Sequence, residues 1–208
     1  RLLDVGCSNG EFLARARNLG WNVLGIELAE HLADFARVER GLPVEQGAAH
    51  DVAARLGAEA FAAVTLWDVL EHLPQPALTM KALHRVLEPG GRVYIATPRV
   101  DGWVARFHFG ALGPLGVWPH PEPPYHLHQF SRATITKLLA TTGFADPHFR
   151  PDEIPLWYTC GVTGERGLTK RLGLLASLPL YALTLPVFLA ARRFDRGDSM
   201  IVSVSRAP

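Results

Sequence analysis

The sequence predicts an α/β domain built on a parallel sheet with helices on both faces. Apolar runs typical of strands alternate along the chain with helix-like segments, and glycine or proline stands at most of the junctions. Strands that alternate with helices form parallel sheets, because each helix carries the chain back to the edge where the next strand begins. The length of 208 residues and the hydrophobic fraction of 48% suit one domain with a substantial core.

The individual elements follow from the period of the apolar residues and from the stop signals around them. In the first half they are a strand at Leu2 to Val5, a helix at Glu11 to Leu19, a strand at Val23 to Ile26, a helix at Ala29 to Arg40, a strand from Val44, a strand at Phe61 to Leu66, a helix at Ala77 to Leu87 and a strand at Arg92 to Ala96. In the second half they are a helix after the cap Ser131, a strand at Phe144 to Phe149 and a final strand at Met200 to Val204.

The segment from Asp101 to Pro124 interrupts this alternation. It is rich in glycine, proline, histidine and aromatic residues and has no sustained period. We expect a long functional loop here, because bulky side chains such as Trp103, Phe107, Phe109 and Trp118 are unusual in a plain linker. Residues 1–100 are thus predicted to hold a cofactor, and residues 101–130 to form a substrate loop within the single domain of residues 1–208.

Charge and cysteine content restrict the partners and the compartment. The formal net charge is +1, so no chain-wide basic field exists to bind a nucleic-acid backbone. Cys7 and Cys160 are too few for a disulfide framework, which favours a reducing, cytoplasmic setting. The chain opens directly on a strand, and this abrupt start predicts a fragment with a segment missing upstream.

Two glycines, Gly6 and Gly10, lie between the first strand and the first helix, where a backbone can approach a ligand without interference from Cβ. A dinucleotide-binding turn reads G-x-G-x-x-G at this place, and here Ser8 replaces the middle glycine. The pattern alone also fits a tight turn without a ligand. Glu27 ends the second strand, near the spacing at which an acid binds both hydroxyls of an adenosine ribose. Asp51 follows the third strand. Its carboxylate fits two interpretations there: it accepts a hydrogen bond from an adenine amino group, or it is an ordinary solvated acid in a loop.

Several segments together resemble the successive motifs of class I S-adenosylmethionine-dependent methyltransferases, in a bacterial small-molecule O-methyltransferase-like subfamily. The segments are LLDVGCSNG, VLGIEL, FAAVTLWDVLEHLPQP, LHRVLEPGGRVYIATP and HLHQFS…LLATTGF. Their order and spacing match over roughly residues 1–150, and the set is far more specific than the glycine turn alone. One departure is visible, since Phe61 is followed by Ala62 where relatives commonly have an aspartate.

The resemblance implies a doubly wound, Rossmann-like sheet of seven strands with the last strand antiparallel, and S-adenosyl-L-methionine as the cofactor. Asp4, Gly6, Cys7 and Gly10 fall in the first motif, which shapes the site of the methionine half. The resemblance also implies a helix before the first strand. In relatives this helix commonly closes over the cofactor.

The remaining cofactor residues follow from the same resemblance. Glu27 matches the acid that binds the ribose, and Asp51 matches the position beside the adenine. Trp67 and Asp68 lie at the end of the fourth strand, where the family lines the cofactor and the entering substrate.

Methyl transfer is an in-line displacement, so the protein mainly aligns the nucleophile with the methyl group. A base is needed when the acceptor is a protonated oxygen, nitrogen or acidic carbon. The candidates are Glu71, His72, His120, His126 and His128. The resemblance favours His126 as the catalytic residue, because a related subfamily has a Pro-x-His segment before the Phe-Ser that starts a helix. A backbone-pinning role in the loop fits His126 equally well.

No metal is expected, since three histidines in a proline-rich loop without cysteine more often pack than bind zinc. The predicted reaction is methyl transfer to a small-molecule or lipid- or glycan-linked acceptor, most simply at oxygen. Two alternatives stay open, a nicotinamide-dependent oxidoreductase and a non-catalytic protein that binds an adenosine cofactor. The missing middle glycine and the LEPGG motif disfavour the oxidoreductase.

An uncharged apolar stretch runs from Leu172 to Ala191, inside a predicted helical insertion at residues 165–196. Its length suits a membrane span, but a single crossing would put the sixth and seventh strands on opposite sides of the bilayer. Pro179 and Pro186 instead predict two short helices folded as a hairpin. Basic residues at both ends favour peripheral contact with the inner membrane surface, while a homodimer contact and a lid on the substrate pocket remain alternatives.

Overall fold

The strands and helices are described here from a computed structural model of residues 1–112, 125–152 and 174–207. The elements of the first half are β1 (Leu2–Val5), α1 (Glu11–Asn18), β2 (Val23–Glu27), α2 (Glu30–Val38), β3 (Val44–Gln46), α3 (Ala49–Arg55), β4 (Phe61–Trp67), a 3-10 turn (Leu70–His72), α4 (Pro76–Val86) and β5 (Leu87–Pro98). Those of the second half are α5 (Trp103–Phe107), a π-helical turn (His108–Leu112), α6 (Arg132–Thr141), β6 (Phe144–Asp152), α7 (Leu174–Arg193) and β7 (Ser199–Arg206).

The strands form one sheet in the order β3-β2-β1-β4-β5-β7-β6. Strands β1 to β5 pair in parallel, and β7 runs antiparallel to both of its neighbours, β5 and β6. The predicted doubly wound sheet with an antiparallel last strand is therefore confirmed. Its order reverses direction at β1, where the chain continues to β2 on one side and β4 lies on the other, and ligands bind at such switch points in open α/β sheets.

Two buried clusters cover the two faces of the sheet. Leu3 and Val5 of β1 belong to the larger cluster, whereas Leu2 belongs to the smaller one, as the alternation of side chains along a strand requires. Helices α1 and α2 contribute to the smaller cluster through Leu13, Ala33 and their neighbours, and α3, α4 and α6 contribute to the larger one. The apolar side of each helix thus packs against the sheet, on one face for α1 and α2 and on the other for α3, α4 and α6.

The prediction of an irregular loop after Asp101 is wrong for residues 103–112, which are helical. Val104, Ala105 and His108 are buried, and α5 packs against α7. The side chain of Asp198 accepts a hydrogen bond from the Ala105 backbone N–H at 3.1 Å, which satisfies a donor that the start of a helix leaves free. These partners are distant in sequence, so local composition does not reveal the helix. Trp118 and His120 lie outside the described residues.

The predicted helical hairpin is also wrong, because α7 is one continuous helix that contains both Pro179 and Pro186. A proline removes one backbone hydrogen bond and kinks a helix without necessarily ending it. Thr184 and Ala191 of α7 are buried, and Thr184 is hydrogen-bonded to the His108 ring at 3.1 Å. Among the described residues, no helix is long and apolar enough to span a bilayer.

Candidate functional site

The ends of β1, β2 and β4 bring the predicted cofactor residues to one edge of the sheet. Val5 pairs with Ile26 on one side and with Leu66 on the other, so these three parallel strands end side by side. The chain leaves β1 through a tight turn in which Gly6 has a φ of 71° and Ser8 a φ of 50°. This left-handed backbone is easy for glycine and strained for serine, which is typical of a binding turn held in place by its surroundings.

The glycine turn touches the segment that follows β4. A Cβ atom built on Gly6 would lie 2.5 Å from a methyl carbon of Val69, so there is no room for a side chain. Gly10, with a φ of 78°, is equally confined, since its Cβ would lie 2.5 Å from Leu42. The contact between Gly6 and Val69 brings the predicted cofactor loop directly against the segment that carries the candidate bases Glu71 and His72.

Glu27 connects the turn to the start of α2. Its carboxylate accepts a hydrogen bond from the Ser8 backbone N–H and another from the Ala29 backbone N–H, each at 2.8 Å. Each carboxylate oxygen therefore has one protein partner and can accept a further bond. This arrangement fits an acid that binds two hydroxyls of a ribose while the backbone holds it in position.

Asp4 and Cys7 belong to the first motif, but both side chains are buried. The Asp4 carboxylate accepts a hydrogen bond from the Thr65 hydroxyl at 2.6 Å, and burial raises the pKa of Asp4 to about 7. Burial also raises the pKa of the Cys7 thiol to about 12. The thiol is thus unreactive at neutral pH. In this structure these two residues support the turn from below, and Cys7 turns its sulfur toward Gly25.

Asp51 lies in the first turn of α3, after β3, as the sequence order predicts for the adenine side. Its side chain is exposed and approaches the His50 ring at 3.5 Å. Helix α3 was not predicted from the sequence, because its alanines leave a weak apolar pattern. An adenine assignment for Asp51 remains a prediction.

Trp67 and Asp68 end β4 beside the turn. The Trp67 ring packs edge-on against Phe12 of α1, with ring centroids 5.4 Å apart, and its buried Nε1–H has no hydrogen-bond partner among the described residues. A buried donor without a partner is costly and marks a place where a ligand can accept a bond. Asp68 has a left-handed backbone, with a φ of 51°, and burial raises the pKa of its carboxyl.

Glu71, His72 and His126 come together past the end of β4. Each offers a ligand-type nitrogen or oxygen, and these atoms all lie within 4.8 Å of one another. The rings of His72 and His126 meet edge-on, with centroids 4.8 Å apart. The catalytic assignment of His126 therefore gains two neighbours that the sequence analysis treated as separate candidates. His128 is close in sequence, but its ring lies against Phe130.

Backbone hydrogen bonds hold this cluster together. The N–H groups of Leu127 and His128 both donate to the Glu71 carbonyl, at 2.9 and 3.0 Å. The Thr97 hydroxyl donates to the Glu71 carboxylate at 2.9 Å, and burial raises the pKa of Glu71. Thr97 was not predicted from the sequence, where its signal is its place near the end of β5, next to β4 in a parallel sheet.

Comparison with known proteins agrees with this geometry. A family model described as a methyltransferase domain matches residues 1–148. The chain belongs to this methyltransferase family. It is 35% identical over 102 residues to a ubiquinone biosynthesis O-methyltransferase of Pseudomonas aeruginosa, covering 47% of this chain and 44% of the relative. The chain thus spans less than half the length of that relative.

Solved structures of methyltransferases share the fold. A SAM-dependent methyltransferase from Archaeoglobus fulgidus superposes with a TM-score of 0.66 at 16% identity, covering 99% of this chain and 86% of that one. A phosphoethanolamine N-methyltransferase of Haemonchus contortus, in complex with S-adenosyl-L-methionine, gives 0.64 at 17% identity, over 100% of this chain and 49% of that one. Together with the family match, these likenesses support S-adenosyl-L-methionine as the cofactor of this methyltransferase domain, in preference to the nicotinamide alternative.

The residues at the sheet edge fit this cofactor. The glycine turn offers close backbone approach, Glu27 retains lone pairs for two hydroxyls, and Trp67 presents a donor without a partner among the described residues. Gly6, Gly10, Glu27, Trp67 and Asp68 thus follow strand ends at one edge of the sheet, and Asp4 and Cys7 lie beneath it, while the assignment of Asp51 to the adenine stays a prediction.

Proposed function

We propose that this methyltransferase transfers a methyl group to a hydroxyl oxygen of a small-molecule or lipid-linked acceptor. The observation that carries the proposal is the Glu71, His72 and His126 cluster, which begins two residues after the Val69 contact with the glycine turn. An acceptor that touches both the cluster and the cofactor has its proton facing basic groups and its oxygen facing the methyl donor. The relative named as a ubiquinone biosynthesis O-methyltransferase supports oxygen as the acceptor atom.

The chain's own residues perform three tasks in this reaction. When bound, S-adenosylmethionine supplies an electrophilic methyl group on a sulfonium sulfur. Glu27 and the glycine turn orient that group, and Trp67 lines the site beside it. His126 accepts the proton of the acceptor hydroxyl as the oxygen attacks, because an imidazole exchanges protons near neutral pH.

The proposed reaction is tested with methyl-labelled S-adenosylmethionine and a panel of phenolic and lipid-linked hydroxyl acceptors. We expect label in an ether product, with His126→Ala lowering kcat by about a hundredfold or more while S-adenosylhomocysteine binds as before. The control is His31→Ala, which removes an exposed imidazole on α2, away from the cluster. Cofactor binding without turnover on any acceptor would favour the non-catalytic alternative instead.

We further propose that α7 rests on an anionic membrane surface without crossing it. Between Leu178 and Ala191, at about 100° per residue, the exposed side chains that the structure describes cover an arc of about 140° on one side of the helix. Within this stretch they are all apolar: Leu178, Pro179, Ala182, Leu183, Pro186 and Leu189. Thr184 and Ala191 are buried on the opposite side, against the protein. A helix with such a face lies in the plane of an interface.

The charges around this face suit anionic lipid better than a second apolar protein surface. Arg192 and Arg193 end α7 and are exposed, and Arg196 follows them. Beside them, Trp103 and Phe194 form an exposed aromatic pair with ring centroids 5.7 Å apart. Aromatic rings and arginines together are typical of the headgroup region of a bilayer.

Liposome flotation tests this membrane contact. The protein is expected to float with anionic vesicles at low salt and to be released by high salt or by Arg192→Glu/Arg193→Glu, since each cation near the surface adds about 1 kcal/mol. Exposed Arg15→Glu/Arg17→Glu on α1 is the matched control. Absence of flotation together with a dimer in sedimentation would support the homodimer alternative and contradict the membrane proposal.

A further inference from the structure

The side chain of Glu71 indicates that the polar cluster binds a ligand besides the methyl acceptor. Its side chain is 1% exposed, and one carboxylate oxygen, Oε2, accepts the Thr97 hydrogen bond. The other oxygen, Oε1, is buried without a hydrogen-bond partner among the described residues. A buried carboxylate oxygen without a donor is costly to maintain, so this atom calls for a cation or a donor from outside the chain.

His72 presents a ring nitrogen in the state that binds metal ions. Its Nδ1 lies 2.7 Å from the Tyr125 carbonyl oxygen, and this contact bridges 53 residues of sequence. Because a carbonyl can only accept, Nδ1 carries a proton, and in a neutral ring the lone pair is then on Nε2. Metal-ligating histidines are commonly oriented in this way, by a hydrogen bond from the second nitrogen to a backbone carbonyl.

His126 is the third possible ligand, and it comes from a different part of the chain. The hydrogen bonds from Leu127 and His128 to the Glu71 carbonyl fix its backbone beside the other two residues. The ligand atoms lie within 4.8 Å of one another, while ligands bound tetrahedrally at about 2.0 to 2.1 Å are about 3.4 Å apart. His72 is exposed and His126 is partly exposed, so binding of an ion requires the two rings to turn where they are not closely packed.

We propose that Glu71, His72 and His126 bind a divalent transition-metal ion of the zinc class beside the methyl-transfer site. Two imidazoles and one carboxylate are a ligand set of catalytic zinc sites, which keep a further position open for water or substrate. Magnesium prefers oxygen ligands and suits this set less well. The sequence predicted no metal because its loop histidines, His120, His126 and His128, have no cysteine beside them, and because Glu71 and His72 lie in a different part of the chain.

The position of the ion suggests its part in the reaction, and this step rests on the proposed function. An acceptor hydroxyl bound at the open position would have a lowered pKa, as water does on zinc. It would release its proton to solvent, and the oxyanion would attack the methyl carbon as the bond from carbon to sulfur breaks. His126 then acts as a ligand, and the ion performs the activation otherwise assigned to the imidazole.

Ion binding is tested on untagged protein, stripped with chelator, by calorimetric titration with Zn²⁺ and by the visible absorption of added Co²⁺. We expect one ion per chain, and at least tenfold weaker binding in Glu71→Gln and in His126→Ala. Glu71→Gln keeps the size of the side chain and an oxygen for the Thr97 hydroxyl, which protects the fold. His31→Ala on the α2 surface should bind the ion like the unmodified protein, and S-adenosylhomocysteine binding verifies that each variant is folded.

The outcomes separate the ion from the reaction. Absence of stoichiometric Zn²⁺ binding, or binding that neither Glu71→Gln nor His126→Ala weakens, overturns the metal site even if methyl transfer is observed. Ion binding that depends on both residues supports the site even if no acceptor is methylated, and in that case the proposed function fails by itself. Methyl transfer that chelator abolishes and Zn²⁺ restores would establish the role of the ion in activating the acceptor.

Discussion

Replacing Asp4 with Asn is expected to stabilise the protein above pH 7 by up to about 4 kcal/mol. Burial raises the pKa of Asp4 from 3.8 to about 7, with a smaller contribution from the charge of Glu27, while the Thr65 hydrogen bond opposes the shift. The folded state therefore holds this proton more tightly than the unfolded state. Its contribution to stability is complete below about pH 4 and is lost as the pH rises through 7.

Urea unfolding at several pH values between 4 and 8 measures this effect. The difference in unfolding free energy between Asp4→Asn and the unmodified protein should be smallest at pH 4 and should grow up to pH 7. Asp34→Asn, in an exposed ion pair with Arg37, is the control and should change stability little. A difference that does not depend on pH would show that Asp4 has an ordinary pKa in the folded protein.

Replacing Glu27 with Ala is expected to weaken the binding of S-adenosylhomocysteine by about 2 kcal/mol, or roughly thirtyfold. The change removes the acceptor for two ribose hydroxyls and leaves the Ser8 and Ala29 N–H groups without their partner. Glu27→Gln keeps one acceptor oxygen and should lose less affinity. Calorimetric titration of both variants gives the comparison.

Exposed Glu45 on the neighbouring strand β3 is the matched control, and Glu45→Ala should bind the cofactor normally. Thermal unfolding without ligand distinguishes a binding defect from a folding defect. Unchanged affinity in a folded Glu27→Ala variant would assign the ribose hydroxyls to other groups.

The strand and helix order up to β5 was predictable because each element carries its own local signal. Period-two or continuous apolar runs mark the strands, and glycine marks the turn at Gly6 and Gly10. Glu27 could be proposed as the ribose-binding acid because its place at the end of β2 follows from its spacing along the chain. Errors at these elements are confined to their ends, except for α3, in which alanines leave little contrast between faces.

The second half depended on contacts between distant segments. The helical turns at 103–112 are stabilised by Asp198 and Thr184, which lie far along the chain. Helix α7 continues through two prolines, and it packs against α5. Local patterns contain no information about such partners, so the sequence predicted a loop and a hairpin.

The candidate site shows the same division. By itself the sequence determined which strand ends meet at the edge predicted for the cofactor, because consecutive β-α units of a parallel sheet bring strand ends together in a known order. Only the tertiary structure decided that His126 meets Glu71 and His72, since two backbone hydrogen bonds to the Glu71 carbonyl and one from His72 to Tyr125 join segments with no shared local pattern. The burial of Glu71 Oε1 without a hydrogen-bond partner among the described residues likewise depends on packing and not on residue order.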